Sequence, residues 1–132
     1  MRYLLDSNII IYYLNGDKDI YNFVEKYKGV SAISIVSYYE VLNYDFSEEE
    51  ELLVREFLDG FEVLSVSKNI INKALKNRKH KKIKMADNFI LATAQIFELD
   101  IVTRNSKDFS PFTGRILNPF NILPQKSRQF PS

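Results

Sequence analysis

The sequence predicts an α/β protein of three layers, in which a central, mostly parallel sheet of four to five strands carries helices on both faces. Three observations point there. Short apolar, β-rich runs alternate with longer stretches of helical periodicity along the chain. The 132 residues show neither an internal repeat nor a linker, so one domain spanning 1–132 is expected. Several acidic residues stand just after a strand candidate or near the start of a following helix, where open parallel sheets bind ligands.

The elements follow in order. Tyr3–Leu5 reads as the first strand, stopped by Asp6, and helical segments over 8–14 and 18–27 come next. Val30–Ser34 is the second strand and Val36–Tyr44 the helix after it. A helix over 48–59 opens with Ser47 and Glu50 in capping-box spacing, and Glu48–Glu51 suits the positive end of its dipole. Phe61–Leu64 is the third strand. Ile70, Ile71, Ala74, Leu75 and Arg78 mark a helix over about 68–79. Met85, Ala86, Phe89, Ile90, Ala94 and Phe97 mark another over about 84–98, apolar on most of its circumference and so expected to be largely buried. Asp100–Thr103 is the fourth strand and Arg115–Leu117 a weak fifth. From Asn118 onward the chain holds three prolines and no periodicity, which predicts a tail with a mobile end.

Composition narrows the functional classes. Apolar residues make up 45% and charged residues 27%, as in ordinary globular domains. There is no cysteine, which removes disulfides, thiolate metal sites and a thiol nucleophile. No run approaches the twenty or so apolar residues that cross a bilayer, and an acid at position 6 comes too early for a secretory signal, so a cytoplasmic protein without membrane attachment is expected. The 18 basic and 17 acidic residues nearly cancel, but Lys76–Lys84 gathers six Lys or Arg and the single histidine, His80.

Four acids stand just after a strand or near the start of the following helix: Asp6, Glu40, Asp87 and Asp108. In a parallel sheet those positions share one edge, so the four should converge on one cleft. Carboxylates in contact disfavour one another's ionisation. A helix N-terminus offsets about 0.3–1 kcal/mol for each acid near it, too little for several negative charges. A hard divalent cation, Mg²⁺ or Mn²⁺, takes oxygen ligands and answers the need. Each acid also has an ordinary alternative: Asp6 as a helix cap, Glu40 as a solvent-facing helix residue, Asp87 as a first-turn acid, Asp108 as a turn former.

With these residues in view, "LLDSNIII", "SYYEVL", "MADNFILATA" and "IVTRNSKDF", in that order, resemble the motifs of the PIN-domain nucleases, and most closely those of the VapC-type toxin ribonucleases of toxin–antitoxin pairs. The likeness runs from Met1 to about Leu117. It implies an α/β/α fold, an acidic pocket binding Mg²⁺ or Mn²⁺, endonucleolytic cleavage of RNA, a cognate antitoxin partner and a homodimer. Carried over residue by residue, Asp6, Glu40 and Asp87 form the acidic core and Asp108 is the fourth acid, with Asp6, Asp87 and Asp108 as metal ligands. Thr103 matches the family's polar residue after the fourth strand. Asn105 stands where many members carry an acid, which leaves open which of positions 105 and 108 approaches the metal.

Such a site would hydrolyse phosphodiesters by activating a water on the ion, with Glu40 or Asp108 accepting its proton. Ser7 and Asn8 are expected to orient Asp6, beside their simpler role in starting a helix. Arg78, Lys79, His80, Lys81, Lys82, Lys84 and Arg104 are expected to contact RNA phosphates; a solvated loop is the plainer reading of that stretch. Two rivals remain: a PIN-like RNA- or protein-binding module without catalysis, and a metal-dependent phosphatase using Asp6. The latter is weakened by Asn8, where haloacid-dehalogenase-like enzymes need a second Asp.

Overall fold

The computed structural model describes residues 1–109 and 116–119. Five strands, β1 (Tyr3–Leu5), β2 (Ser31–Ser34), β3 (Glu62–Leu64), β4 (Asp100–Val102) and β5 (Ile116–Leu117), form one sheet in the order β3-β2-β1-β4-β5. Every pairing is parallel. Six helices connect them: α1 (Ser7–Leu14), α2 (Lys18–Tyr27), α3 (Ile35–Leu42), α4 (Glu48–Asp59), α5 (Lys68–His80) and α6 (Met85–Phe97).

The chain steps from β1 through β2 to β3 in one direction, then returns past β1 to place β4 on its other side. Right-handed crossovers therefore send α1–α4 to one face and α5 and α6 to the other. The two cores agree. Tyr3, Leu5, Ile33 and Val102 pack with residues of α1, α2, α3 and α4, whereas Leu4, Ala32 and Ile101 pack with Ile90, Leu91 and Ala94 of α6. Register aligns these sets, with Leu5 opposite both Ile33 and Val102, and Leu4 opposite both Ala32 and Ile101.

Local signals set the helix ends. Ser47 and Glu50 form the complete capping box of α4. Asp17 caps α2 and Ser67 caps α5 through the N–H three residues on. Gly16, at φ 84°, takes the left-handed turn between α1 and α2 that a side chain would oppose.

Three expectations need correction. Val30 lies in a 3₁₀ turn (Lys28–Val30), and Phe61 and Thr103 lie just outside their strands, so the strands are shorter than the apolar runs. Helix α6 is buried from Ile90 to Ala94, but Met85 is 72% and Phe97 49% exposed, because the helix is longer than the sheet it covers. The basic stretch is not a loop throughout: Arg78, Lys79 and His80 form the last turn of α5, where cations complement the negative end of the helix dipole. Of the weak fifth strand, Ile116 and Leu117 are described and Arg115 lies outside the described residues, as does the tail after Pro119.

An amide network that no sequence pattern announces joins α5 to α6. Asn77 Nδ2 donates to Asn88 Oδ1 (3.2 Å) and Gln95 Oε1 (2.8 Å), and Asn88 Nδ2 donates to the Ala74 carbonyl (2.8 Å). Asn77 and Asn88 are both buried. It fixes the first turn of α6, which carries Asp87, against the helix that carries the basic turn.

Candidate active site

The strand order reverses at β1, so the crevice at its carboxyl end lies between the residues leaving β1 and those leaving β4. Asp6 leaves β1 there. Its N–H continues the ladder to the Val102 carbonyl (2.9 Å), and its side chain, 6% exposed, caps α1 by accepting from the Ser7 N–H at Oδ1 (2.8 Å). The capping role and the buried position therefore coexist.

The other carboxylate oxygen is held from across the crevice. Thr103 Oγ1 donates to Asp6 Oδ2 (2.9 Å), and Asn8 Nδ2 donates to the same oxygen (3.2 Å). Thr103 Oγ1 in turn accepts from Asn8 Nδ2 (3.1 Å) and from the Asn105 N–H (3.0 Å). Asn8 Oδ1 accepts from the Arg104 N–H (3.1 Å). Ser7, Asn8, Thr103 and Asn105, the four residues expected to support the site, thus join Asp6 in one network, Ser7 and Asn105 through their backbone N–H groups.

Electrostatics ties in the remaining acids. Burial pushes the Asp6 carboxyl up to about 6 from 3.8, against the bonds from Thr103 and Ser7, and the charges of Asp87 and Glu40 push it the same way. Asp87, in the first turn of α6, is also raised, first by burial, then by Asp108 and Glu40, with Lys84 opposing. Among the described residues no ion pair joins any of the four acids to a Lys or Arg; the pair present is Arg55–Glu51 on α4, 3.1 Å. Charge links Asp6 to Asp87 and Glu40, and Asp87 to Asp108 and Glu40. They do not close into a chelate: among the described residues no three Asp, Glu or His side chains form a group able to hold an ion.

Helix α3 brings Glu40. Ser34 at the end of β2 starts that helix by accepting the Val36 N–H at Oγ (3.0 Å). One turn before Glu40 lies Ser37, fully buried, whose Oγ has no hydrogen-bond partner among the described residues.

The cations are distributed unevenly. Lys84 stands at the start of α6 and opposes the rise in Asp87. Arg78, Lys79, His80 and Lys82 are exposed, and Lys81 half-buried, on the last turn of α5 and the link to α6. Arg104 is exposed beyond Thr103, with its guanidinium carbon 4.9 Å from the centre of the Tyr12 ring.

The donor set suits a hard divalent cation. It is made of carboxylate and hydroxyl oxygens, and its central acid is destabilised by burial and by like charge. Mg²⁺ retains several waters and needs one or two direct carboxylates, so the absence of a closed three-acid group among the described residues is compatible with its coordination habit.

Replacing Thr103 with Val tests the network. The isosteric change removes the donor to Asp6 Oδ2 and the acceptor for Asn8 and Asn105. A loss of about 2 kcal/mol in urea unfolding is expected, together with a further rise of the Asp6 carboxyl in an NMR titration. An unmoved Asp6 titration would show that Thr103 does not hold it.

The fold and this crevice define a class: a doubly wound α/β protein with a buried aspartate where the strand order reverses. The family profile of the PIN domain matches residues 3–112, and the chain belongs to that family. A chain of a toxin–antitoxin complex from Klebsiella pneumoniae is 32% identical, covering 89% of this chain and 97% of its own, with a TM-score of 0.80. FitAcB from Neisseria gonorrhoeae (20% identity, 91% and 99% covered, TM-score 0.78) and DNA-bound VapBC from Salmonella typhimurium (20%, 89% and 97%, TM-score 0.76) share the fold. No curated protein sequence matches. The resemblance drawn from the four motifs holds.

Proposed function

We propose that this protein is a Mg²⁺- or Mn²⁺-dependent endoribonuclease acting in the cytoplasm as the toxin of a toxin–antitoxin pair. The observation that carries the reading is Asp6: a buried carboxylate at the switch point of the sheet, oriented by Thr103, Asn8 and Ser7, and burdened by the charges of Asp87 and Glu40. Membership of the PIN domain family supports nuclease chemistry. That a 32%-identical chain belongs to a toxin–antitoxin complex supports the biological role.

In this reading Asp6 and Asp87 hold the ion, with Asp108 or Asn105 completing its surroundings. When bound, the ion supplies charge stabilisation to the scissile phosphate and acidifies a water. The chain's own residues do the rest. Thr103 and Asn8 fix the rotamer of Asp6. Glu40 accepts the proton of the attacking water, a role Asp108 would share. Lys84 keeps a positive charge beside Asp87, and Arg78, Lys79, His80, Lys81, Lys82 and Arg104 draw the RNA backbone toward a cleft whose acids would otherwise repel it.

A cognate antitoxin finds an apolar groove of ≈ 410 Å³ between α3 and α4, lined by Ile35, Tyr38, Tyr39, Leu42, Asn43 and Arg55, with Leu52 and Leu53 exposed on the same helix α4. A homodimer is expected from the family likeness.

Purified protein incubated with single-stranded and structured RNA should cleave in Mn²⁺ and not in EDTA. Equal cleavage in both would remove the ion from the reaction. No cleavage of any RNA would favour the second reading, a PIN-like binding module, which the lack of a closed three-acid group among the described residues keeps in view.

A further inference from the structure

Helices α5 and α6 leave an apolar groove between them, of ≈ 380 Å³, lined by Ile71, Leu75, Ile83, Met85 and Phe89. That size suits a small-molecule site. Leu75 and Met85 are exposed although apolar. Two polar side chains complete the lining. Arg78 is exposed, and among the described residues no ion pair joins it to an acid. Asn88 is buried; its Nδ2 donates to the Ala74 carbonyl (2.8 Å) and its Oδ1 accepts from Asn77 (3.2 Å), which leaves the amide one further donor and one further acceptor position. The surroundings select the ligand. Met85, Asn88 and Phe89 share one face of α6, and Asp87 stands about 100° around the helix from Asn88. Groove and acid are therefore neighbours on one rigid element. Lys79, Lys82 and Lys84 are exposed along the end of α5 and the link to α6. This basic rim fits a polyanion. It disfavours a second copy of the chain, whose own basic turn would oppose it across a symmetric contact. The groove between α3 and α4 has the opposite rim, Glu48–Glu51, which repels RNA.

We propose that the groove between α5 and α6 is a nucleobase subsite, which takes one unstacked base of a single-stranded RNA while Arg78 holds a phosphate of the same strand. The inference rests on the nuclease reading for its ligand being RNA, and it names how this chain grips the strand on the helix that carries Asp87. An unstacked base presents two apolar faces and one polar edge. Leu75, Met85 and Phe89 cover the faces, and Asn88 offers the edge a donor and an acceptor. The base then contributes affinity that is insensitive to salt, and Arg78 contributes affinity that is not.

The test separates base from backbone. Short fluorescein-labelled strands of oligo(A), oligo(U) and oligo(C), and an abasic ribose-phosphate strand of the same length, are titrated in EDTA over a series of salt concentrations. The wild type should bind at least one base-bearing strand about tenfold tighter or more than the abasic strand. Leu75→Ser with Met85→Ser should remove that preference and keep the salt slope. Both residues are exposed, so the core stays intact, which an unchanged melting temperature verifies. Arg78→Ala should weaken every strand, the abasic one included, and reduce the slope by about 1. Equal affinity of the wild type for base-bearing and abasic strands, or binding of neither, would overturn the subsite. So would a wild-type dimer that Leu75→Ser with Met85→Ser splits into monomers in sedimentation, because a second copy would then occupy the groove. Base-dependent binding by a protein that cuts no RNA would overturn the nuclease reading and leave the subsite standing. Cleavage by a protein without that base dependence would do the reverse.

Discussion

Asp6→Asn is expected to abolish Mn²⁺-dependent RNA cleavage while making the protein more heat-stable without metal. The two halves have one cause. Asp6 titrates near 6 in the folded protein against 3.8 for the free side chain, so its charged form is disfavoured by folding. The sign follows from proton binding: between about pH 4 and pH 6 the folded state holds a proton that the unfolded state has released, so stability falls as pH rises through that window and the full penalty is present above it. A difference of about two pH units corresponds to about 3 kcal/mol. Asn carries no charge and keeps an oxygen for the Ser7 N–H, since it caps helices as well as Asp does. Its amide nitrogen faces Asn8 Nδ2 unfavourably, which returns part of the gain. A net stabilisation of about 1–2 kcal/mol remains, read as a rise of several degrees in Tm at pH 7 that shrinks at pH 4. Mn²⁺ should raise the Tm of the wild type and leave the variant unmoved. A variant that melts lower at pH 7, or that still responds to Mn²⁺, would show that Asp6 is not the strained centre of the site.

Phe109→Ala should cause a loss of stability of about 3–5 kcal/mol in chemical unfolding. Phe109 is fully buried and packs with Leu4, Leu91, Leu99 and Ile101 beneath the sheet. It ends the 3₁₀ turn Ser106–Phe109 that carries Asp108, whose N–H donates to the Asn105 carbonyl (3.0 Å). Removing the ring leaves a cavity and frees that turn, so Asp108 loses the fixed place from which its charge acts on Asp87. Phe109→Leu should restore most of the stability. If the Ala variant unfolds within about 1 kcal/mol of the wild type, the turn is anchored by something other than this ring.

Much of the fold was legible because its signals are short-range. Ser47 with Glu50, Asp17 before Ile20, and Ser67 before Ile70 each act within one helical turn, so the starts of α4, α2 and α5 fell where the sequence placed them. The first strand was located to the residue, and the second, third and fourth were each read one residue too long. At three or four residues, flanked by buried positions such as Phe61 and Thr103, those strands carry no alternation that would mark their ends. Of the acids after strand ends, Asp6 was expected at the switch point because a parallel sheet gives such positions a common edge, and it leaves β1 there. Asn77 and Asn88 were not recognisable. An amide in a helix looks like a surface residue until a partner eleven positions away on another helix is known to face it.

The sequence by itself determined the class of fold, the order of the elements and the exclusion of thiol chemistry. Only the tertiary structure decided that β4 lies against β1, and with it the bond from Thr103 to a carboxylate 97 residues away, the strain on Asp6 and the meeting of Arg104 with Tyr12. Caps and periodicities are written into neighbours along the chain, whereas desolvation and cross-crevice bonds arise from which strands lie side by side, and no local pattern records that.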